Sequence, residues 1–191
     1  IVRAGSNESA LVINEVMTAN IDMFLDPSFN YGNWIELYNT SDEDINISGW
    51  YLSNDATNLL QCPLGNSSRI VKAHEFLTLW LGHLDDYCPL QVDFDLEYEA
   101  GTVILSDKNG KIVNQVSYNT IPARISYARK TDGADEWGLT GNPTPGNTNA
   151  TSAFASQQLE APVVNVDSKL FTDQFYFNVT IPEGATLYYT K

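Results

Sequence analysis

Val103-Ile104-Leu105-Ser106-Asp107-Lys108-Asn109-Gly110-Lys111-Ile112-Val113-Asn114-Gln115-Val116-Ser117-Tyr118 is the stretch that decides the fold. Two strand-like runs, Val103 to Leu105 and Ile112 to Tyr118, flank Asp107-Lys108-Asn109-Gly110. A tight-turn signal between such runs predicts an antiparallel hairpin. Outward from it, the pattern keeps a period of two. Upstream, Val92, Phe94, Leu96 and Tyr98 alternate with Asp93, Asp95, Glu97 and Glu99, which predicts a strand with one buried and one acidic face. Phe76 to Leu81 is apolar on both faces and reads as a central strand. Trp34 to Tyr38 reads as another, and Leu11, Ile13 and Met17 share one phase of an opening strand that includes Glu15. Ile45 and Ile47 give way to Trp50 and Leu52 across Ser48-Gly49, a phase slip that predicts a β-bulge. Downstream, short strands follow near Ile125–Ala128 and Trp137–Leu139. No segment reads as a helix of three turns. Many short strands with polar turns predict an all-β, antiparallel sandwich.

The chain has 191 residues, 43% hydrophobic and 18% charged, with a net charge of −14. It is long enough to bury a core unaided. Its longest apolar run falls far short of the roughly 20 residues of a membrane helix, so no transmembrane segment is expected. No Lys or Arg lies between Arg3 and Arg69 or between Lys72 and Lys108. Nucleic-acid affinity rests on clustered Lys and Arg, so a nucleic-acid partner is not expected.

Near Asn142 the character changes, because Asn142-Pro143-Thr144-Pro145-Gly146-Asn147 cannot continue a strand. Residues 1–9 read as a tail, 10–150 as the sandwich and 151–158 as a small, polar linker. Residues 159–191 read as the start of a second β-module, with strands at Pro162–Val166, Gln174–Ile181 and Ala185–Thr190. About 30 residues of hairpin cannot bury a core of their own. The expectation is a second domain cut short at Lys191, or a tail packed on the first.

Five blocks carry a family resemblance. They are Ile13-Asn14-Glu15-Val16, Trp34-Ile35-Glu36-Leu37-Tyr38-Asn39, Ile47-Ser48-Gly49-Trp50-Tyr51-Leu52-Ser53, Ser126-Tyr127-Ala128-Arg129 with Asp132-Gly133, and Pro143-Thr144-Pro145-Gly146 with Asn149. In this order they resemble the bacterial form of the lamin tail domain, with Ala128 standing where the family usually has Gly. The resemblance implies an immunoglobulin-like sandwich and a non-catalytic interaction or scaffold module of a larger bacterial protein. It also implies an extracytoplasmic setting, secreted or surface-anchored, and a protein or polysaccharide partner. Ala161-Pro162-Val163 and Leu187-Tyr188-Tyr189-Thr190 resemble the first strands of a chitobiase C-terminal-type, fibronectin-like module. Some proteins of this arrangement continue into a kinase-like domain of the spore-coat protein H type.

Glu15 and Glu36 are carboxylates set among apolar neighbours in two strands. Such a pair could serve as the acid and base of a glycosidase. It could equally accept hydrogen bonds near a sheet edge. The family resemblance carries no catalytic residue and favours the second reading. Asp93, Asp95, Glu97 and Glu99 line one predicted face, where two neighbours could share a Ca²⁺ but four could not. A solvated face is the commoner meaning of such a row, and no other cofactor is expected. Cys62 and Cys88 are compatible with one disulfide or with two buried thiols. Together with His74 and His83 they lack zinc-ligand spacing. Trp137, close to Asp132-Gly133, is the aromatic expected to be exposed, and it is the candidate for stacking on a sugar in a carbohydrate-binding alternative. Six Asn-x-Ser/Thr sequons occur, at Asn7, Asn39, Asn46, Asn66, Asn149 and Asn178.

Overall fold

The computed structural model describes residues 9–65, 69–82, 91–155, 162–166, 170, 172, 174 and 176–188. Twelve strands build the first part of the chain: β1 (Leu11–Met17), β2 (Trp34–Asn39), β3 (Ile45–Asn46), β4 (Tyr51–Ser53), β5 (Cys62–Pro63), β6 (Ile70–Val71), β7 (Phe76–Leu81), β8 (Gln91–Val92), β9 (Ala100–Ser106), β10 (Ile112–Asn119), β11 (Ser126–Arg129) and β12 (Trp137–Thr140). One sheet has the order β12-β11-β1-β2-β7-β8 and the other β10-β9-β4-β5, with β3 and β6 as a short extra pair. All pairings among these strands are antiparallel except β7 with β8. No α-helix occurs among the described residues. The architecture is an all-β, immunoglobulin-like sandwich, as the alternating pattern predicts.

The core lies between the two sheets. Ile35 and Leu37 of β2 and Leu79 and Leu81 of β7 meet Leu52, Val103, Leu105 and Val116 of the other sheet. The hairpin of β9 and β10 turns where predicted. Gly110 donates to the Asp107 carbonyl at 2.9 Å with a positive φ of 76°, a conformation that glycine adopts without penalty.

Two phase readings change. In β1 the pairing with β2 runs Ile13↔Leu37 and then Glu15↔Glu36, so Asn14 is an extra, bulged residue. A bulge reverses the face of everything after it. Leu11 and Ile13 point into the core, then Val16 replaces them, and Glu15 and Met17 turn to the outer face. Ser48-Gly49, by contrast, is a turn and not a bulge. Trp50 donates to the Ile47 carbonyl at 3.0 Å, and Gly49 has a φ of 74°. The slip there marks the chain leaving one pair of strands for another sheet.

The predicted strand over Val92–Tyr98 survives only at Val92, the last residue of β8. Residues 93–99 cross from β8 in one sheet to β9 in the other, so no ladder neighbour is available to them.

The chain separates into two units, Ile1–Phe154 and Ala155–Lys191. In the second, β13 (Val163–Val164) pairs with β14 (Val179–Thr180). These strands are shorter than the sequence pattern suggests, and residues 185–188 form none. Val163, Tyr176, Phe177 and Tyr188 are exposed. A lone two-stranded ribbon buries too little to extend itself.

Candidate functional site

The outer face of the six-stranded sheet carries three rows of side chains. Met17, Trp34 and Trp80 form the first, with the indole rings of the cross-strand pair 5.6 Å apart. Glu15, Glu36 and Thr78 form the second. Tyr38 stacks on Phe76 at 4.6 Å in the third. The Asn14 bulge is what puts Glu15 directly opposite Glu36 on this face, and both carboxylates have no exposed surface.

Segment 142–149, the Pro-rich stretch that could not be a strand, covers the middle row. The Thr144 N–H donates to Glu15 at 3.2 Å and the Gly146 N–H to Glu36 Oε2 at 2.5 Å. Ser126 Oγ–H donates to Glu15 Oε1 at 2.5 Å. Asn14 Nδ2 donates to Glu36 Oε1 at 3.3 Å and to Asp132 Oδ1 at 3.0 Å, and Asn14 Oδ1 accepts the Gly133 N–H at 3.1 Å. Asp132 also accepts the Asn149 N–H at 3.0 Å and the Thr148 hydroxyl. Arg129 is buried beside this network, donating to the Ile13 carbonyl at 2.7 Å and to the Ala134 carbonyl. Buried polar groups need such partners, and here both carboxylates and Asp132 each hold backbone N–H groups of segment 142–149.

Burial raises both carboxyl pKa values, Glu15 to about 7 and Glu36 to about 8. The charge of Glu15 opposite pushes Glu36 further up, and Asp132 adds to both. The Gly146 N–H bond to Glu36 and the Ser126 bond to Glu15 act the other way. A carboxylate among apolar walls and like charges resists ionisation, as functional acids often do. A general acid must also reach substrate. These two are sealed beneath a strap of chain that they hold in place.

The other candidates separate from this site. Asp93, Asp95, Glu97 and Glu99 are exposed, while Val92 and Leu96 are buried, so the alternation survives without a shared strand face. Asp95 Oδ1 is taken by Asn33 Nδ2 at 2.9 Å and the Leu96 N–H at 2.8 Å. Among the described residues no three His, Cys, Asp or Glu side chains gather closely enough to hold a metal ion. Cys62 is a buried free thiol whose Sγ accepts the Asp93 N–H at 3.4 Å. Cys88, His83, Asn7 and Asn66 lie outside the described residues.

Trp137 is half-buried, which corrects the expectation of exposure. Its ring stacks on Tyr127 at 4.9 Å and lies 4.8 Å from the Arg129 guanidinium, so the edge of the core claims it. Two sequon asparagines, Asn39 and Asn149, are fully buried with their amides bonded to backbone carbonyls. Asn46 and Asn178 are exposed.

One feature had no clear signal in the sequence. The loop between β1 and β2 displays Ile21, Leu25, Phe29 and Tyr31, with Phe29 82% exposed and at a positive φ of 65°. Asn20 pins the loop by donating to the Phe24 and Gly32 carbonyls, and Asp26 accepts the N–H groups of Ser28 and Asn30. Its Asn, Asp, Pro and Gly residues mark a loop but do not say which apolar side chains stay outside.

Two sheets packed face to face, with segment 142–149 covering the polar row of the outer face, define an immunoglobulin-like module. The chain belongs to the lamin tail domain family, which it matches over residues 4–120. The fourth and fifth blocks of the resemblance lie beyond that match. No curated protein matches the chain.

Proposed function

We propose that this domain is a non-catalytic interaction or scaffold module of a larger secreted or surface-anchored bacterial protein. We also propose that the Ala155–Lys191 unit is the start of a chitobiase C-terminal-type, fibronectin-like module. The observation that carries the first reading is the fate of Glu15 and Glu36. Glu15 and Glu36, a pair with the chemistry of a hydrolase, have no exposed surface and hold segment 142–149. The test is a panel of polysaccharides and glycosides incubated with the purified chain. No turnover is expected. Turnover that Glu15→Gln or Glu36→Gln abolishes would overturn the reading.

Exposed aromatics favour a second reading, a carbohydrate-binding accessory module. Rings presented to solvent are what sugars stack on, and Phe29 and Tyr31 are more open than Trp137. Saturable binding to one polysaccharide that Phe29→Ala removes would establish that reading. Loss on Trp137→Ala instead would move the sugar site to the edge of the core.

A further inference from the structure

Both sheets end in edge strands, and an open edge is a template for another strand unless something blocks it. Three of the four edges are blocked. The β5 edge is two residues long and contains Pro63, and β8 is two residues long. The β12 edge has four residues, and its last, Thr140, is bridged to Phe154. The β10 edge has eight residues, Ile112-Val113-Asn114-Gln115-Val116-Ser117-Tyr118-Asn119, with no charge and no proline. Among the described residues no strand pairs with its outer side. In a chain of net charge −14, these eight consecutive residues carry no charge, and beyond Asn114, whose Oδ1 accepts the Ile13 N–H at 3.0 Å, no bulge interrupts the edge.

The flanks of β10 are oppositely charged. Lys108 and Lys111 precede it, in the turn from β9. At the other end Tyr118 donates to the Glu97 carbonyl at 3.0 Å and Thr120 to the Glu99 carbonyl at 3.1 Å, which places exposed Glu97 and Glu99 beside the strand's finish. A strand with lysines at its start and glutamates at its end is self-complementary under a two-fold axis. Antiparallel pairing with its own copy sets each lysine end against the other copy's glutamate end.

The apolar groups follow the same symmetry. A groove of about 420 Å³ at the start of β10 is lined by Ile45, Trp50, Ile112 and Val113, with Asp107 and Lys111. Tyr98, 49% exposed, stands between Glu97 and Glu99 at the opposite end. The same two-fold brings Tyr98 of one copy toward the groove of the other. The bulge at Val113 ends the regular ladder near Asn114, so pairing runs over the five residues Gln115 to Asn119 and centres on Ser117, which faces its own copy.

We infer that β10 pairs antiparallel with β10 of a second copy, joining two four-stranded sheets into one of eight strands. The contact is isologous and closes at two, because β5 at the far edge is too short to continue it. Its small size makes it a concentration-dependent dimer. At 0.15 M salt the Debye length is about 8 Å, so most of the repulsion between two acidic domains is screened while the paired ends still attract.

Sedimentation velocity on the 191-residue chain at 0.15 M salt, from about 5 to 500 μM, covers the affinity of a weak interface. A monomer–dimer equilibrium is expected. Ser117→Lys puts like charges face to face at an exposed position and is expected to weaken it by about tenfold or more. Lys111→Glu alone is expected to weaken it, and Lys111→Glu with Glu99→Lys to restore it. Thermal unfolding midpoints matching the wild type show that each variant is folded. A chain that stays monomeric throughout would overturn the inference. So would a dimer that neither Ser117→Lys nor Lys111→Glu changes.

Discussion

Asn14 does two jobs, as the extra residue of β1 and as the bridge from Glu36 to Asp132 and Gly133. Asn14→Ala leaves Glu36, Asp132 and the Gly133 N–H each one partner short, the first of them fully buried, so a loss of about 1–3 kcal/mol is expected from urea unfolding. Glu15 and Glu36 make stability depend on pH in a definite direction. Their ordinary value is near 4.5, and in the fold they rise to about 7 and about 8. The folded state therefore holds these protons more tightly than the unfolded chain. Their contribution is fully present below about pH 4.5 and is lost as pH rises to about 8. Urea midpoints measured from pH 5 to 8 are expected to fall for the wild type, and to fall less for Glu15→Gln with Glu36→Gln. Both glutamates were legible in the sequence as carboxylates among apolar neighbours. Their positions opposite each other were not, because that depends on a one-residue bulge that no Gly or Pro announces.

At the scale of elements, the Pro143–Asn149 strap shows how irregular chain is held without a ladder. Glu15, Glu36 and Asp132 accept its N–H groups at Thr144, Gly146 and Asn149. Gly146 has a φ of 76°, and a Cβ there would meet nothing within 4 Å. Gly146→Ala is therefore expected to cost only backbone strain, about 1–2 kcal/mol. Gly146→Pro also deletes the N–H that Glu36 holds and cannot adopt that φ, so it is expected to cost several kcal/mol more on thermal unfolding. The sequence showed that this segment is not a strand, and it showed the turn and both strands of the β9–β10 hairpin, but not the start of β9 at Ala100 or the bulge at Val113. The strand expected over Val92–Tyr98 does not form beyond Val92, since its alternation also suits a crossover with one side on the core. Local pattern reports burial, and pairing depends on which neighbour the topology supplies.

For the whole molecule, charge and enclosure set what it can do. With 24 acidic against 10 basic residues, retention of DNA or RNA on a filter at low salt is not expected, and tight retention would refute that. The central claim is that the buried carboxylates serve the architecture, as a clamp on segment 142–149. Native-state hydrogen exchange at the Thr144 and Gly146 amides tests it most directly, because those are the two N–H groups that Glu15 and Glu36 hold. A clamp predicts that they exchange as slowly as the amides of β1 and β2, opening only when the sandwich unfolds. Exchange orders of magnitude faster than in those strands would mean that the strap is a lid which lifts and bares the two glutamates to solvent, and the account would be contradicted.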